Sequence, residues 1–172
     1  PFAGYLGVDI FEGKNFSIDF TKQIICISGK EAAFPNSSRF FKSSGLIILP
    51  VNLNSKKIFA LFDTATANTA LFIENQLFES ITQHSIVNIL SKKIVRPDFS
   101  FNSHFLEYSI NLKVGSFEIR QTTILETPDK EANNYFFKNS KSGIDAVLGN
   151  FFLRNCTISF NFQNNTFSIE KS

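Results

Sequence analysis

One stretch of this chain occurs twice, and the two copies keep different company. Tyr5-Leu6-Gly7-Val8-Asp9-Ile10-Phe11, followed by Phe16-Ser17-Ile18-Asp19-Phe20 and Ile24-Ile25-Cys26-Ile27, returns as Val147-Leu148-Gly149-Asn150-Phe151-Phe152-Leu153, then Ile158-Ser159-Phe160-Asn161-Phe162 and Thr166-Phe167-Ser168-Ile169. Leu6/Leu148, Gly7/Gly149, Ser17/Ser159, Phe20/Phe162 and Ile27/Ile169 are identical at one constant offset, without a gap. Copies with the same apolar pattern present the same face for burial, so they are expected to fold as the same supersecondary unit. The second copy follows a long segment containing Phe62-Asp63-Thr64-Ala65-Thr66, whereas the first stands almost at residue 1. The chain therefore reads as a complete unit over residues 44–172, preceded by a linker over 29–43 and by the closing hairpin of another unit over 1–28. The chain has no Met, so Pro1 is not a translation start; the natural polypeptide is expected to extend upstream, to be processed, or to have been cut.

Composition narrows the class. With 43% hydrophobic and 19% charged residues in 172, the chain has enough apolar material for one core and is far from the disordered regime. Its net charge of +2 comes from scattered Lys and Arg, with no basic run interleaved with aromatics, which argues against a nucleic-acid partner. The longest apolar run, Gly45-Leu46-Ile47-Ile48-Leu49-Pro50-Val51, is far shorter than the roughly 20 residues that span a bilayer, so no membrane span is expected. Cys26 and Cys156 occupy non-equivalent places in the two copies; they would either pair or remain inert, half-buried thiols. The 22 Phe residues are read as compositional bias without catalytic meaning.

Local patterns are mostly those of strands. Residues 15–20 and 23–28 flank Thr21-Lys22-Gln23 as a hairpin. Gly29 to about Lys42 is polar and without sustained period, hence the linker. Leu46–Leu53 and Ile58–Phe62 read as strands joined by Asn54-Ser55-Lys56-Lys57. Ile73, Leu77, Phe78 and Ile81 fall at helical spacing and predict a short amphipathic helix. Leu106, Tyr108, Ile110, Leu112 and Val114 alternate with polar residues up to Gly115-Ser116, and Phe117 begins the returning strand. Thr127–Ser142 reads as a polar loop, Asn150–Arg154 as a helical turn, and Asn164-Asn165 as the turn between two last strands. The fold class expected is all-β with two short helices.

The residues that carry chemistry begin at Asp63. The apolar run Ile58-Phe59-Ala60-Leu61-Phe62 delivers this lone carboxylate into Thr64-Ala65-Thr66-Ala67-Asn68-Thr69, a set of small and hydroxylated residues. A carboxylate at the end of a buried strand needs hydrogen-bond donors, because unpaired burial costs several kcal/mol. The bland reading is a carboxylate that closes a turn. Combined with the downstream apolar-apolar-Gly element Val147-Leu148-Gly149, a helical turn and a terminal hairpin, however, the segment resembles the retropepsin and pepsin-like aspartic proteases. In that family each lobe carries apolar-Asp-Thr/Ser-Gly in a loop against which the apolar-apolar-Gly element packs. The resemblance covers about Ser44–Glu170 as one lobe and Pro1–Ser28 as the closing part of a preceding one.

The resemblance implies an acid-protease lobe whose Asp63 is one of two catalytic carboxylates holding a water between them. The ionised member takes a proton from the water as it attacks a peptide carbonyl, and the protonated member hydrogen-bonds the oxyanion. Thr64 would cross-link the two catalytic loops, Thr66 would donate to the outer oxygen of Asp63, and the N–H groups of Ala65 and Thr66 would serve the same carboxylate. Val147, Leu148 and Gly149 would pack under the loop. The substrate would be a polypeptide; no cofactor and no metal are implied. The second Asp would come from an upstream lobe or a second protomer, since Asp9 and Asp19 lie in the repeated tail, where their mates are Phe151 and Asn161. The family's bacterial members point to an exported protein, periplasmic or secreted.

Two features depart from the pattern. Ala65 stands where the family has Gly, and no Gly occurs between Gly45 and Gly115 to form a glycine-rich flap, so the region Lys92–His104, with Pro97, Phe99 and Phe101, would replace it. These departures favour the alternative of an inactive lobe acting as a protein-binding or dimerisation module. Among the remaining residues, Asp145 reads as a helix-capping or loop-holding carboxylate, and His84 and His104 lack metal-ligand spacing. A nucleophilic Cys156 is disfavoured by its place in the repeated tail.

Overall fold

The computed structural model describes residues 7–29, 34–64, 66, 69–82, 89–95, 100–127, 129–134, 137 and 143–172. Its strands form two sheets. The larger contains β4 (Phe41–Ser43), β5 (Leu46–Leu53), β6 (Lys56–Phe62), β7 (Leu71–Ile73), β8 (Ile89–Val95), β9 (Ser100–Val114), β10 (Phe117–Glu126) and β11 (Ala146–Leu148). Its order is β4-β5-β6-β11-β7-β10-β9-β8, and a further pairing of β5 with β9, through Val51↔Val114 to Leu53↔Leu112, closes it into a barrel. The smaller sheet has the order β2-β1-β12-β13-β3, from β1 (Asn15–Asp19), β2 (Ile24–Ser28), β3 (Ser38–Arg39), β12 (Cys156–Asn161) and β13 (Thr166–Lys171). Among the described residues, two short α-helices, α1 (Asn75–Thr82) and α2 (Lys130–Asn133), complete a predominantly β architecture.

Several barrel strands are apolar without alternation because both of their faces are buried. In β11, Ala146 and Leu148 join the main core while Val147 enters a second cluster with Ile48, Phe72, Leu125 and Ala132. Strand β7 divides in the same way, Leu71 and Ile73 against Phe72. The second cluster also holds Phe101, Phe137 and Ile144. Helix α1 turns Leu77 and Phe78 into the main core, with Ile81 packed against it.

The sequence repeat is a local twofold axis in the smaller sheet. Ser17 and Ser159 are mates in the repeat and also direct cross-strand partners of β1 and β12, so the axis passes between them. The hairpin registers match mate for mate: Phe16↔Ile27 and Ile18↔Ile25 in the first, Ile158↔Ile169 and Phe160↔Phe167 in the second. Backbone bonds obey the same symmetry. Phe20 donates its N–H to the Cys156 carbonyl, and its mate Phe162 donates to that of Lys14, each at 3.1 Å. Even the turns agree: Asp19 Oδ1 accepts from the N–H groups of Thr21 and Lys22, and Asn161 Oδ1 from those of Gln163 and Asn164. Asp19 is thus committed to holding its turn, and Lys22 N–H and ammonium groups keep its carboxyl below the usual aspartate range.

Aromatic packing joins the sheet to the barrel. Phe160, fully buried, meets the rings of Phe16, Phe40, Phe62, Phe162 and Phe167 at centroid distances between 5.5 and 6.2 Å. Phe62 is the residue before Asp63, so this cluster fixes the strand end from which the carboxylate projects. The Phe content therefore has a positional role that composition did not disclose.

Four expectations change. The 29–43 segment contains strands: Ser38 pairs with Phe167 and Arg39 with Thr166, while Phe41–Ser43 pairs with Leu46–Ile48. The turn after β5 is only Asn54-Ser55, both at positive φ, with Lys56 and Lys57 already in β6. Ile73 ends β7 and does not begin the helix. The polar loop after Thr127 holds α2, nucleated by Asp129, whose Oδ1 accepts from Glu131 and Ala132 N–H at 2.9 and 3.2 Å.

Candidate active site

Asp63 stands where β6 leaves the barrel, partly buried, and β11 holds it there. β11 runs between β6 and β7, parallel to the first and antiparallel to the second, with Leu148 facing Phe62 on one side and Leu71 on the other. At its end the ladder continues into the loop. Asp63 N–H donates to the Leu148 carbonyl at 3.0 Å, Gly149 N–H to that of Ala70 at 3.0 Å, and Asn150 N–H to that of Thr66 at 3.0 Å. The segment 63–70 is therefore stapled at both limbs by three consecutive residues from the far end of the chain.

Within the loop, the Thr66 hydroxyl donates to Asp63 Oδ2 at 2.8 Å. The Thr66 N–H donates to the Asp63 main-chain carbonyl at 3.3 Å, whereas the resemblance implies the carboxylate as its acceptor. Thr64 is exposed, and Ala65 lies outside the described residues. Val147 and Leu148 are buried in β11. Gly149 is the tightest point: a Cβ there would fall 2.2 Å from the Thr66 carbonyl oxygen and 2.3 Å from that of Thr69. Only a residue without Cβ lets the two backbones meet so closely.

Asn150 is the site residue that sequence reasoning missed. Besides its N–H bond, its Nδ2 donates to the Thr64 carbonyl at 2.8 Å, tying the outer limb of the loop. The available signal was an amide directly after Val147-Leu148-Gly149, in a position to donate twice. Asp145 holds a strand: its Oδ2 accepts the Phe59 N–H at 2.9 Å and its own N–H returns to the Phe59 carbonyl, so it anchors β6 and caps no helix.

The other candidates lie apart from this chemistry. Cys26 is exposed and Cys156 buried, both free, and burial pushes the Cys156 thiol up, which suits an inert packing residue. His84, Pro97 and Phe99 lie outside the described residues. The Lys92–His104 region forms the facing arms of β8 and β9, paired from Ile89↔Leu106 to Val95↔Ser100. No helix among the described residues is long and apolar enough to cross a membrane.

His104 pairs through Nδ1 with Glu126 Oε1 at 2.5 Å, and Glu126 is only 2% exposed. Burial pushes the Glu126 carboxyl above its ordinary value, against the pull of His104 and with a further push from Glu79. A carboxyl raised in the folded state favours folding below the ordinary glutamate value, and that contribution is lost as pH rises through the folded value. Glu126→Gln keeps an acceptor for His104 without the charge. Its thermal midpoint relative to the parent chain should climb as pH rises above the ordinary glutamate value, and a difference independent of pH would contradict this account.

No protein-family model matches the chain, and no curated protein matches it significantly.

Proposed function

We propose that this chain is a retropepsin-like lobe of an aspartic endopeptidase, with Asp63 as one member of a two-carboxylate dyad that activates water for peptide-bond hydrolysis. The observation that carries the reading is the clamped acid: a partly buried carboxylate at a strand end, bonded by the Thr66 hydroxyl, in a loop stapled by Leu148, Gly149 and Asn150. A loop held in this way presents its carboxylate in one orientation, which general-base catalysis needs. Thr66 orients Oδ2 and leaves the carboxylate its role toward water and substrate. Thr64, exposed at the same loop, is in position to bond a facing loop.

One carboxylate cannot be at once the ionised base and the protonated donor. The partner Asp belongs to a second lobe, upstream in the same polypeptide or on a second protomer, approaching so that its own loop meets Asp63. The local twofold through Ser17 and Ser159 supports such a pairing, since it already relates two closing hairpins. The competing reading, a lobe without activity that binds protein, is favoured by Ala65 in the family's Gly position.

The test is digestion of an unstructured polypeptide at about pH 4, where a carboxyl pair readily shares one proton. A pepstatin-type inhibitor should stop the cleavage. Cleavage that ignores the inhibitor, or none from a preparation containing both lobes, would favour the binding module.

A further inference from the structure

Directly after Asn150 the chain makes a 3₁₀ turn, Phe151–Leu153, and this turn lines a groove outside the acid loop. The groove has a volume of about 560 Å³, within the range of small-molecule pockets. The start of β10 also lines it, with Phe117 and Ile119 half-buried and Glu118 and Arg120 exposed in alternation. So do Cys156 and Lys171, cross-strand partners of β12 and β13. The floor is apolar. Phe152 and Cys156 are buried, Phe117, Ile119 and Phe151 pack against the main core without being fully covered, and the rings of Phe117 and Phe152 meet at 6.4 Å. The rim is cationic. A 3₁₀ turn brings residues three apart into line, and Arg154 accordingly lies over the Phe151 ring, its guanidinium 4.1 Å from the centroid. Stacking fixes the plane of the guanidinium and leaves its N–H donors at the edge. Glu118 stands 3.9 Å from Arg120, both side chains well exposed, so this pair is weak and local. Among the described residues neither Arg154 nor Lys171 is paired with a carboxylate.

We infer that this groove binds a small amphipathic carboxylic acid, its apolar body laid on Phe117, Ile119 and Phe152 and its carboxylate held by Arg154, with Lys171 adding positive charge. Charge complementarity selects the anion. A stacked guanidinium presents two parallel N–H donors, the geometry that a carboxylate accepts at both oxygens. The apolar floor selects the body, since covering half-exposed rings removes apolar surface from water. The volume sets the size, a single ring or a short hydrocarbon chain. The site stands independently of any chemistry at Asp63.

The probe is hydrocinnamate, a phenyl ring on a three-carbon acid, and its control is hydrocinnamyl alcohol, which has the same body without the charge. Titrated into the 172-residue chain at neutral pH, the acid should shift the backbone amide resonances of residues 117–120 and 151–156, saturating with a Kd below about 1 mM. The alcohol should bind at least about tenfold more weakly, having nothing for the guanidinium to hold. Arg154→Gln should weaken the acid by about tenfold and leave the alcohol unchanged, which separates loss of the charge from distortion of the turn. Arg154 is exposed, so the variant should remain folded. Lys171→Gln, at a second exposed position, should weaken the acid about twofold to threefold, and added salt should reduce that difference. Equal affinity for acid and alcohol would overturn the inference, as would shifts centred elsewhere or no saturable shift. A tetrapeptide with a free C-terminal phenylalanine that binds more than about tenfold tighter than hydrocinnamate would also overturn it, assigning the groove to a polypeptide terminus.

Discussion

Asp63→Asn should reduce peptide-bond hydrolysis to the uncatalysed background, a loss of at least about a thousandfold in kcat, because the exchange removes the only group in this loop that can take a proton from water. The fold should survive. Asn has the same shape, its Oδ1 still accepts from the Thr66 hydroxyl, and the backbone bond of residue 63 to Leu148 does not involve the side chain. The thermal midpoint should therefore move by no more than about 2 °C, as for a change that breaks no packing. Digestion of an unfolded polypeptide by the two-lobe protein, with calorimetry alongside, reads both quantities. A variant that cleaves as fast as the parent would remove Asp63 from the reaction, and one that unfolds would make it a structural acid.

Gly149→Ala should strike the same site through its backbone. The new methyl group meets the Thr66 and Thr69 carbonyl oxygens at 2.2 and 2.3 Å, and neither is the end of a flexible side chain that can swing away. The segment 63–70 has to retreat, and the Gly149-to-Ala70 and Asn150-to-Thr66 bonds lengthen or break. Overpacking and the lost bonds together should cost about 3 kcal/mol or more, a fall in Tm of about 10 °C for a chain of this size. Gly29→Ala is the control: a Cβ there meets nothing within 4 Å, and its effect should stay within about 0.5 kcal/mol. An unchanged Tm for Gly149→Ala would mean that the loop is not clamped.

Much of this architecture can be read from the residues alone, and what can be read shares one property. The β1–β2 hairpin, the long β9–β10 hairpin and the α1 helix declare themselves through periodicity or turn chemistry confined to a few neighbouring residues. The repeat went further, since mates at a constant offset are related by an axis that passes between the paired Ser17 and Ser159. What escaped depends on residues distant in sequence. Ser38–Arg39 and Phe41–Ser43 have no period because they are two and three residues long, and they are strands only through Phe167 and Ile47. The role of Asn150 depends on the carbonyls of Thr64 and Thr66, brought beside it by the barrel. Glu126 reads as an ordinary polar residue at a strand end, and nothing local announces its burial beside His104. For α2 a signal did exist, Asp129 ahead of Glu131, but its polar surroundings hid it.

The placement of β11 has a consequence for the order in which the molecule matures. Its partners β6 and β7 lie far upstream in the chain, so they are made well before the strand that locks them. Until then Asp63 has a strand on one side only and its loop has no staple. Pairing across so long a stretch of chain is slow, because ring closure must be completed before any contact rewards it. The nascent chain thus carries an unlocked acid loop until β11 has been made.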